Sequence, residues 1–170
     1  EGNERYRRMD EWAASCEPGA DGLHFLPYLA GERTPHMDPT ARALFFGLTL
    51  RHGRGELVRS VMEGVAFAAL DAFHVLQEVG ANAERITIAG GGARSAVWRQ
   101  IVADIFALPV APLLRSEQSA LGAALLAGHG AGLLDAAGAS VQWATYGPIT
   151  PPRPAFAERY QTGFATFQEL

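Results

Sequence analysis

The residues with most to offer chemistry lie between Ile86 and Ser95, in the run Ile-Thr-Ile-Ala-Gly-Gly-Gly-Ala-Arg-Ser. An apolar strand signal runs into Gly90-Gly91-Gly92 and then into a helix start. Glycine adopts positive φ without steric cost, and lacking a Cβ it lets a flat ring or a phosphate lie against the backbone. Free N–H groups and the dipole at a helix N-terminus favour an anionic or hydrogen-bonding ligand. A tight strand–helix turn built for packing accounts for the same residues, so the motif alone leaves both readings open. It is not a Walker-type phosphate loop, because no Gly-Lys-Ser/Thr follows. It is not a clean dinucleotide fingerprint either: Gly90-x-Gly92 is followed by Ser95 where a third glycine or an alanine belongs. Glu117, after the next strand, could still play a ribose-binding acid, which keeps a nicotinamide enzyme in view on local pattern.

Three further groups could carry chemistry. Glu117-x-x-Ala120-Leu121-Gly122-Ala123-Ala124 sets small residues at a helix start, where they allow close packing beside the glycine turn, and Glu117 could simply cap or solvate that helix. Gly31-Glu32-Arg33-Thr34-Pro35-His36 is a rigid loop of mixed charge suited to ordering an interface. His36 could act as a general base, but no carboxylate or nucleophile has a fixed spacing to it, which favours a surface or structural histidine. Cys16 could be a nucleophile, yet Glu17 beside it would raise its pKa, which favours a bystander. His24, His52, His74 and His129 make no metal-ligand spacing, and no HExxH, CxxC or GxSxG occurs. No catalytic constellation is complete, so any enzyme chemistry must lie partly off the chain.

The elements that would position these groups follow from periodicity. Tyr6, Met9, Trp12 and Ala13 predict a helix from Asn3 to Ser15, ending before Pro18-Gly19. Leu23 to Leu29 reads as extended, with Pro27 marking an edge or an irregularity. A loop from Ala30 to Ala41 leads to a second short strand, Leu44 to Leu50, with Gly47 at a bulge or close approach. Glu56 to Val79 predicts a long helix with Leu57, Val58, Val61, Met62, Val65, Ala69, Phe73, Leu76 and Val79 on its core stripe. Arg59 and Glu63 fall i,i+4 on another face, and Gly80 caps the end. Arg85 to Ala89 is a strand, and a helix from Ser95 to Ala107 turns Val97, Trp98, Ile101, Val102, Ile105 and Phe106 inward. Leu108 to Leu113 is a strand interrupted by Pro109 and Pro112, and Ser119 caps a helix from Ala120 to His129. The pattern loosens after Gly132, and Phe156, Tyr160, Phe164 and Phe167 suggest a closing helix. Alternating helices and strands predict an α/β layer with a right-handed parallel connection.

Composition sets the outer bounds. A chain of 170 residues that is 48% apolar and 19% charged can build a substantial core, which excludes wholesale disorder. Lys+Arg 14 against Asp+Glu 18 gives a net charge of −4 with no basic stripe, which argues against nucleic-acid binding. One cysteine excludes an internal disulfide framework and fits a reducing compartment. The chain starts Glu1-Gly2-Asn3 without a signal-like segment, and no apolar run reaches the ~18 residues of a membrane span. The expectation is a cytoplasmic piece of something longer.

Four stretches, in order, resemble the C-terminal half of the FGGY carbohydrate kinases, and most closely their xylulokinase branch. They are Phe25–Pro39, Ala43–Phe67, Ile88–Val110 and Ser119–Ala127. The second carries Ala43-x-Phe45-x-Gly47-Leu48, a gap, then Glu56-Leu57, Ser60 and Glu63, as in the family's second signature. The resemblance spans about residues 3–130, with a weaker tail over 131–170, and treats residues 1–170 as one domain fragment. It implies an RNase H-like, actin-like ATPase fold with helices packed on a mixed or parallel sheet. It also implies transfer of the γ-phosphoryl of ATP-Mg2+ to a sugar hydroxyl, with D-xylulose as the sugar and ribulose, gluconate or glycerol as alternatives. The catalytic aspartate, the phosphate-binding hairpin and most sugar contacts would lie upstream, in an N-terminal domain that is this chain's partner. No metal ligand is assigned here, and homodimer formation is left open. By the resemblance, Gly91, Gly92 and Ala93 form the adenine and ribose turn, with Ser95 near it and Tyr6 aligned with an aromatic residue near adenine. The competing readings are a dinucleotide-binding oxidoreductase domain and a non-catalytic kinase half kept for association.

Overall fold

A computed structural model of the chain describes residues 2–114 and 118–170. Glu117 lies outside the described residues. The organising element is helix α2, Arg54–Glu78, which follows Gly53. The Glu56 carboxylate accepts the Gly53 N–H at 2.8 Å, satisfying a donor that the helix start would otherwise orphan. At the other end Gly80 takes φ +91°, and the Ala81 N–H reaches back to Leu76 O, closing the helix with a Schellman-type turn.

Helix α2 buries a face that only partly overlaps the stripe expected: of that stripe, Met62 and Phe73 pack against the core. Its buried residues are Arg59, Ser60, Glu63, Gly64, Ala66, Phe67, Leu70 and Asp71. Val65, Leu76 and Val79 are exposed. The reason is that α2 packs on several neighbours at once: helix α1 (Gly2–Ala14), strand β1 (His24–Leu26), helix α3 (Ala96–Phe106) and helix α6 (Ala157–Glu169). Small and paired polar residues serve the tight contacts. Gly64 faces the backbone of β1 so closely that an added Cβ would overlap the Phe25 carbonyl oxygen.

Arg59 and Glu63 are not a solvated pair. Their side chains are 5% and 4% exposed. Arg59 Nε donates to Glu63 Oε1 at 2.7 Å, and its other nitrogens donate to Ala13 O, Cys16 O and the Tyr160 hydroxyl. Glu63 Oε1 also accepts from the Tyr160 hydroxyl at 2.8 Å and from the Gly19 N–H at 2.9 Å. Burial and the neighbouring Glu63 push the Tyr160 phenol above its ordinary range, which keeps it a neutral donor. This network ties α1, the Pro18–Gly19 turn, α2 and α6 together. Spacing i,i+4 is shared by surface and buried pairs, so the pattern could not separate them.

The strands form two small sheets among the described residues. β1 pairs antiparallel with β2 (Leu44–Phe46), Phe25 opposite Phe45 with ring centroids 4.6 Å apart. β1 ends at Leu26 because Pro27 has no N–H to extend it. Strand β3 (Ile86–Ile88) pairs parallel with β4 (Val110–Pro112), and α3 connects them, as the alternating pattern predicted. Helix α4 (Gln118–Gly130) begins before Ser119, so that serine lies inside it. A helix α5 (Ala136–Trp143), which the loosened pattern did not reveal, is capped by the Asp135 carboxylate at the Gly138 N–H.

The tail returns to the core. Thr150 exchanges both backbone hydrogen bonds with Val110, at 2.8 and 2.9 Å. The Asp104 carboxylate, fully buried, accepts from Arg153 N, Nε and Nη2 at 2.8, 3.0 and 2.7 Å. Helix α6 then sets Tyr160, Phe164 and Phe167 around Phe67, with centroids 6.2, 5.9 and 5.7 Å away. These aromatics share one core with Leu26, Leu70, Ile101, Val102 and Ile105. Among the described residues no helix is long and apolar enough to cross a membrane.

Candidate functional site

The glycine turn is a short 3-10 segment, Gly91–Arg94, between β3 and α3. The positive φ falls at Gly90, at +75°, and not at Gly91 or Gly92. Gly92 is tight for another reason: a Cβ there would lie 3.1 Å from Trp98 Cδ1 and 3.2 Å from Trp98 Nε1, so the indole would have to give by a few tenths of an ångström. A Cβ on Gly91 would meet nothing within 4 Å. The turn therefore presents one glycine to open space and seats the other against an indole edge.

That open space is a groove of about 940 Å³. One wall is Gly91, Gly92, Arg94, Ser95 and Trp98; the opposite wall comes from α1, with Tyr6 and Asp10. Val61, Met62 and Val65 of α2 form an apolar floor. This explains why Val61 and Val65 of the α2 stripe do not enter the core, while Met62 touches both groove and core. Tyr6 is 72% exposed, free to lie over the groove. The charged lining is balanced, Glu4 and Asp10 against Arg7 and Arg94. Arg7 is already held by Glu4 and Glu11, and its hydrogen bond keeps the Glu4 carboxyl below the ordinary range. A groove with an apolar floor and no excess cation suits a flat, uncharged heterocycle better than a polyphosphate.

The structure thus brings together Tyr6, Gly91, Gly92 and Ser95. Ala93 is buried beneath the turn, where its carbonyl accepts from Arg99 Nη1 at 2.5 Å. The Ser95 hydroxyl is occupied: it accepts from the Trp98 N–H at 3.0 Å as the N-cap of α3 and donates to Asp10 Oδ1 at 2.8 Å. Asp10, Trp98 and the Val61–Val65 floor were not singled out as site residues, because apolar periodicity reads the same for a core and for a groove floor.

The remaining candidates go elsewhere. Cys16 Sγ donates to Glu56 Oε1 at 3.2 Å, and burial together with Glu56, rather than Glu17, raises its thiol pKa, which argues against a nucleophile. His36 does have a carboxylate partner, Asp71 Oδ2 at 3.1 Å, brought from α2 across the fold and invisible as a spacing.

Comparison with known proteins places this geometry. The model of the FGGY family of carbohydrate kinases, C-terminal domain, matches residues 1–131. The xylulose kinase of Staphylococcus epidermidis strain RP62A is 41% identical over 130 residues, 76% of this chain and 26% of that protein. The gluconokinase of Bacillus subtilis is 41% identical over 135 residues, 79% of this chain and 26% of that protein. The solved xylulose kinase of Lactobacillus acidophilus superposes with a TM-score of 0.86 at 33% identity, over 96% of this chain and 33% of that one. The fold is therefore that of the actin-like, RNase H-like sugar kinases. The chain belongs to the FGGY family of carbohydrate kinases, as its C-terminal domain. It spans about a quarter to a third of the length of these relatives. This membership replaces the oxidoreductase reading of the glycine turn.

Proposed function

We propose that this chain is the nucleoside-seating part of an ATP-dependent sugar kinase that phosphorylates D-xylulose to xylulose 5-phosphate. The observation that carries the nucleotide part is the groove shared by Tyr6 and the Gly91-Gly92 turn, with its apolar floor and balanced charge. The sugar rests on relatives and solved neighbours named as xylulose kinases. Gluconate is the second reading, supported by a gluconokinase at the same 41% identity.

In this reading the groove takes the adenosine of ATP, with Gly91 and Gly92 against it, Tyr6 above it, and Ala93 and Ser95 shaping the turn. Phosphoryl transfer depends on positioning and charge stabilisation more than on covalent chemistry by the protein. These residues supply the positioning. The base that takes the sugar hydroxyl proton and the contacts to the transferred phosphoryl belong to the rest of the kinase. The described residues gather no group of three or more His, Cys, Asp or Glu able to hold a cation. Mg2+ would arrive with ATP, its ligands mostly in the rest of the kinase. A cytoplasmic location fits such a reaction.

Calorimetry on the chain tests the reading. Adenosine, ADP and ATP are expected to bind with similar, weak affinity. A large preference for ATP over adenosine would place phosphate contacts here and sink it. Gly91→Val is expected to weaken adenosine binding at unchanged melting temperature, since its Cβ meets nothing within 4 Å. Gly92→Val should instead lose stability against Trp98.

The chain alone is also expected to lack kinase turnover. In a coupled ADP-release assay with D-xylulose and ATP-Mg2+, a rate in the ordinary kinase range of roughly 1–100 s⁻¹ would show that the catalytic base resides in these residues after all.

A further inference from the structure

The two walls of the groove belong to separate parts of the chain. Tyr6 rides on α1, and Gly91-Gly92 sits ahead of α3. The turn is fastened to α3 from below by Arg99 Nη1 on the Ala93 carbonyl, and at its end by the Ser95 cap on the Trp98 N–H. Nothing in those two bonds fixes α1. Among the described residues, one side-chain hydrogen bond joins α1 to the turn: Ser95 Oγ to Asp10 Oδ1, at 2.8 Å. The same hydroxyl therefore caps α3 and holds α1, and it can do both only because a hydroxyl both accepts and donates. Asp10 lies four residues beyond Tyr6, one helical turn along the same face.

We propose that Asp10 is the positioning residue of the groove: through Ser95 it sets the distance between the α1 wall, with Tyr6, and the Gly91-Gly92 wall. The inference rests on the groove being the nucleoside site, but the clamp itself is a property of the two walls. A hydrogen bond to a carboxylate is stronger than a neutral one, and the alternative for Asp10 is water, so the bond biases α1 toward the turn without being needed for folding. The core of α1 lies elsewhere, at buried Ala13.

Asp10→Leu removes the acceptor, and Asp10→Asn keeps one. Two readings of the 170-residue chain are needed: adenosine affinity by calorimetry, and amide hydrogen exchange over residues 2–10 and 90–95. Asp10→Leu is expected to weaken adenosine binding by roughly tenfold, the worth of one such hydrogen bond. It should also speed exchange in both segments while the melting temperature holds. Asp10→Asn, which keeps an acceptor but not the charge, should restore both readings in part. Ser95→Ala should reproduce the exchange change, with an added loss of stability from the missing cap. Unchanged exchange in Asp10→Leu overturns the clamp. Faster exchange with unchanged adenosine affinity overturns its role in positioning. Faster exchange in a chain whose wild type binds no adenosine upholds the clamp and overturns the nucleoside reading.

Discussion

Gly64→Ala is expected to destabilise the chain by at least about 3 kcal/mol. In most helices this change is mildly favourable, by about 0.5–1 kcal/mol, because alanine loses less backbone entropy than glycine. Here the added Cβ would overlap the Phe25 carbonyl oxygen of β1. A clash with a flexible side chain is relieved by a rotamer change, but this one is with backbone in a paired strand, where Phe25 lies opposite Phe45. Relief means lifting α2 off β1, and that separates Phe67 and Leu70 from the core they share with Leu26. Overpacking typically costs 1–3 kcal/mol and more when backbone must move, so a loss of at least about 3 kcal/mol is expected. Domains of this size hold about 5–15 kcal/mol in all. Urea unfolding by circular dichroism checks it, with Gly163→Ala as the control. A Cβ at Gly163 would sit 3.3 Å from the Phe67 ring edge, which can shift, so its loss should be small. A Gly64→Ala midpoint equal to wild type would mean that α2 and β1 are not in this contact.

Glu63→Leu is expected to cost about 3–5 kcal/mol, the usual penalty for leaving a buried charge without its counter-ion. Arg59 would keep its bonds to Ala13 O, Cys16 O and Tyr160, but no anion would remain against a guanidinium whose side chain is 5% exposed. The Gly19 N–H and the Tyr160 hydroxyl would lose their acceptor as well. The double variant Arg59→Met/Glu63→Leu should regain part of the loss by removing the orphaned charge. It should not regain all of it, because the Cys16 carbonyl would then lose its donor and the Ala13 carbonyl would keep only the Cys16 N–H. The double-mutant cycle from denaturant midpoints measures both terms. A single variant as stable as wild type would show that water reaches Arg59.

These two positions show what a sequence carries and what it leaves out. The order of helices and strands, the glycine junction and the closing aromatic helix could be read from periodicity and turn residues, because those signals are local. The face that α2 buries could not. Gly64 and the Arg59–Glu63 pair are buried by neighbours far along the chain, and Val61, Met62 and Val65 look apolar whether they fill a core or floor a groove. The glycine turn was legible as a candidate site, and the resemblance added Tyr6. Asp10 was not legible: its partner Ser95 is 85 positions away, and no spacing rule links a helix residue to a distant cap. His36 and Asp71 were hidden for the same reason.

The closing helix α6 has a bearing on where this domain ends. The family model matches residues 1–131, yet Tyr160, Phe164 and Phe167 lie beyond it and complete the core around Phe67. The likeness to the Lactobacillus acidophilus structure, by contrast, runs over 96% of the chain. A protein cut at residue 131 would keep the glycine turn but strip three aromatic rings from Phe67 and the Tyr160 hydroxyl from Glu63. The core around Phe67 thus needs more of the chain than the span the family model matches.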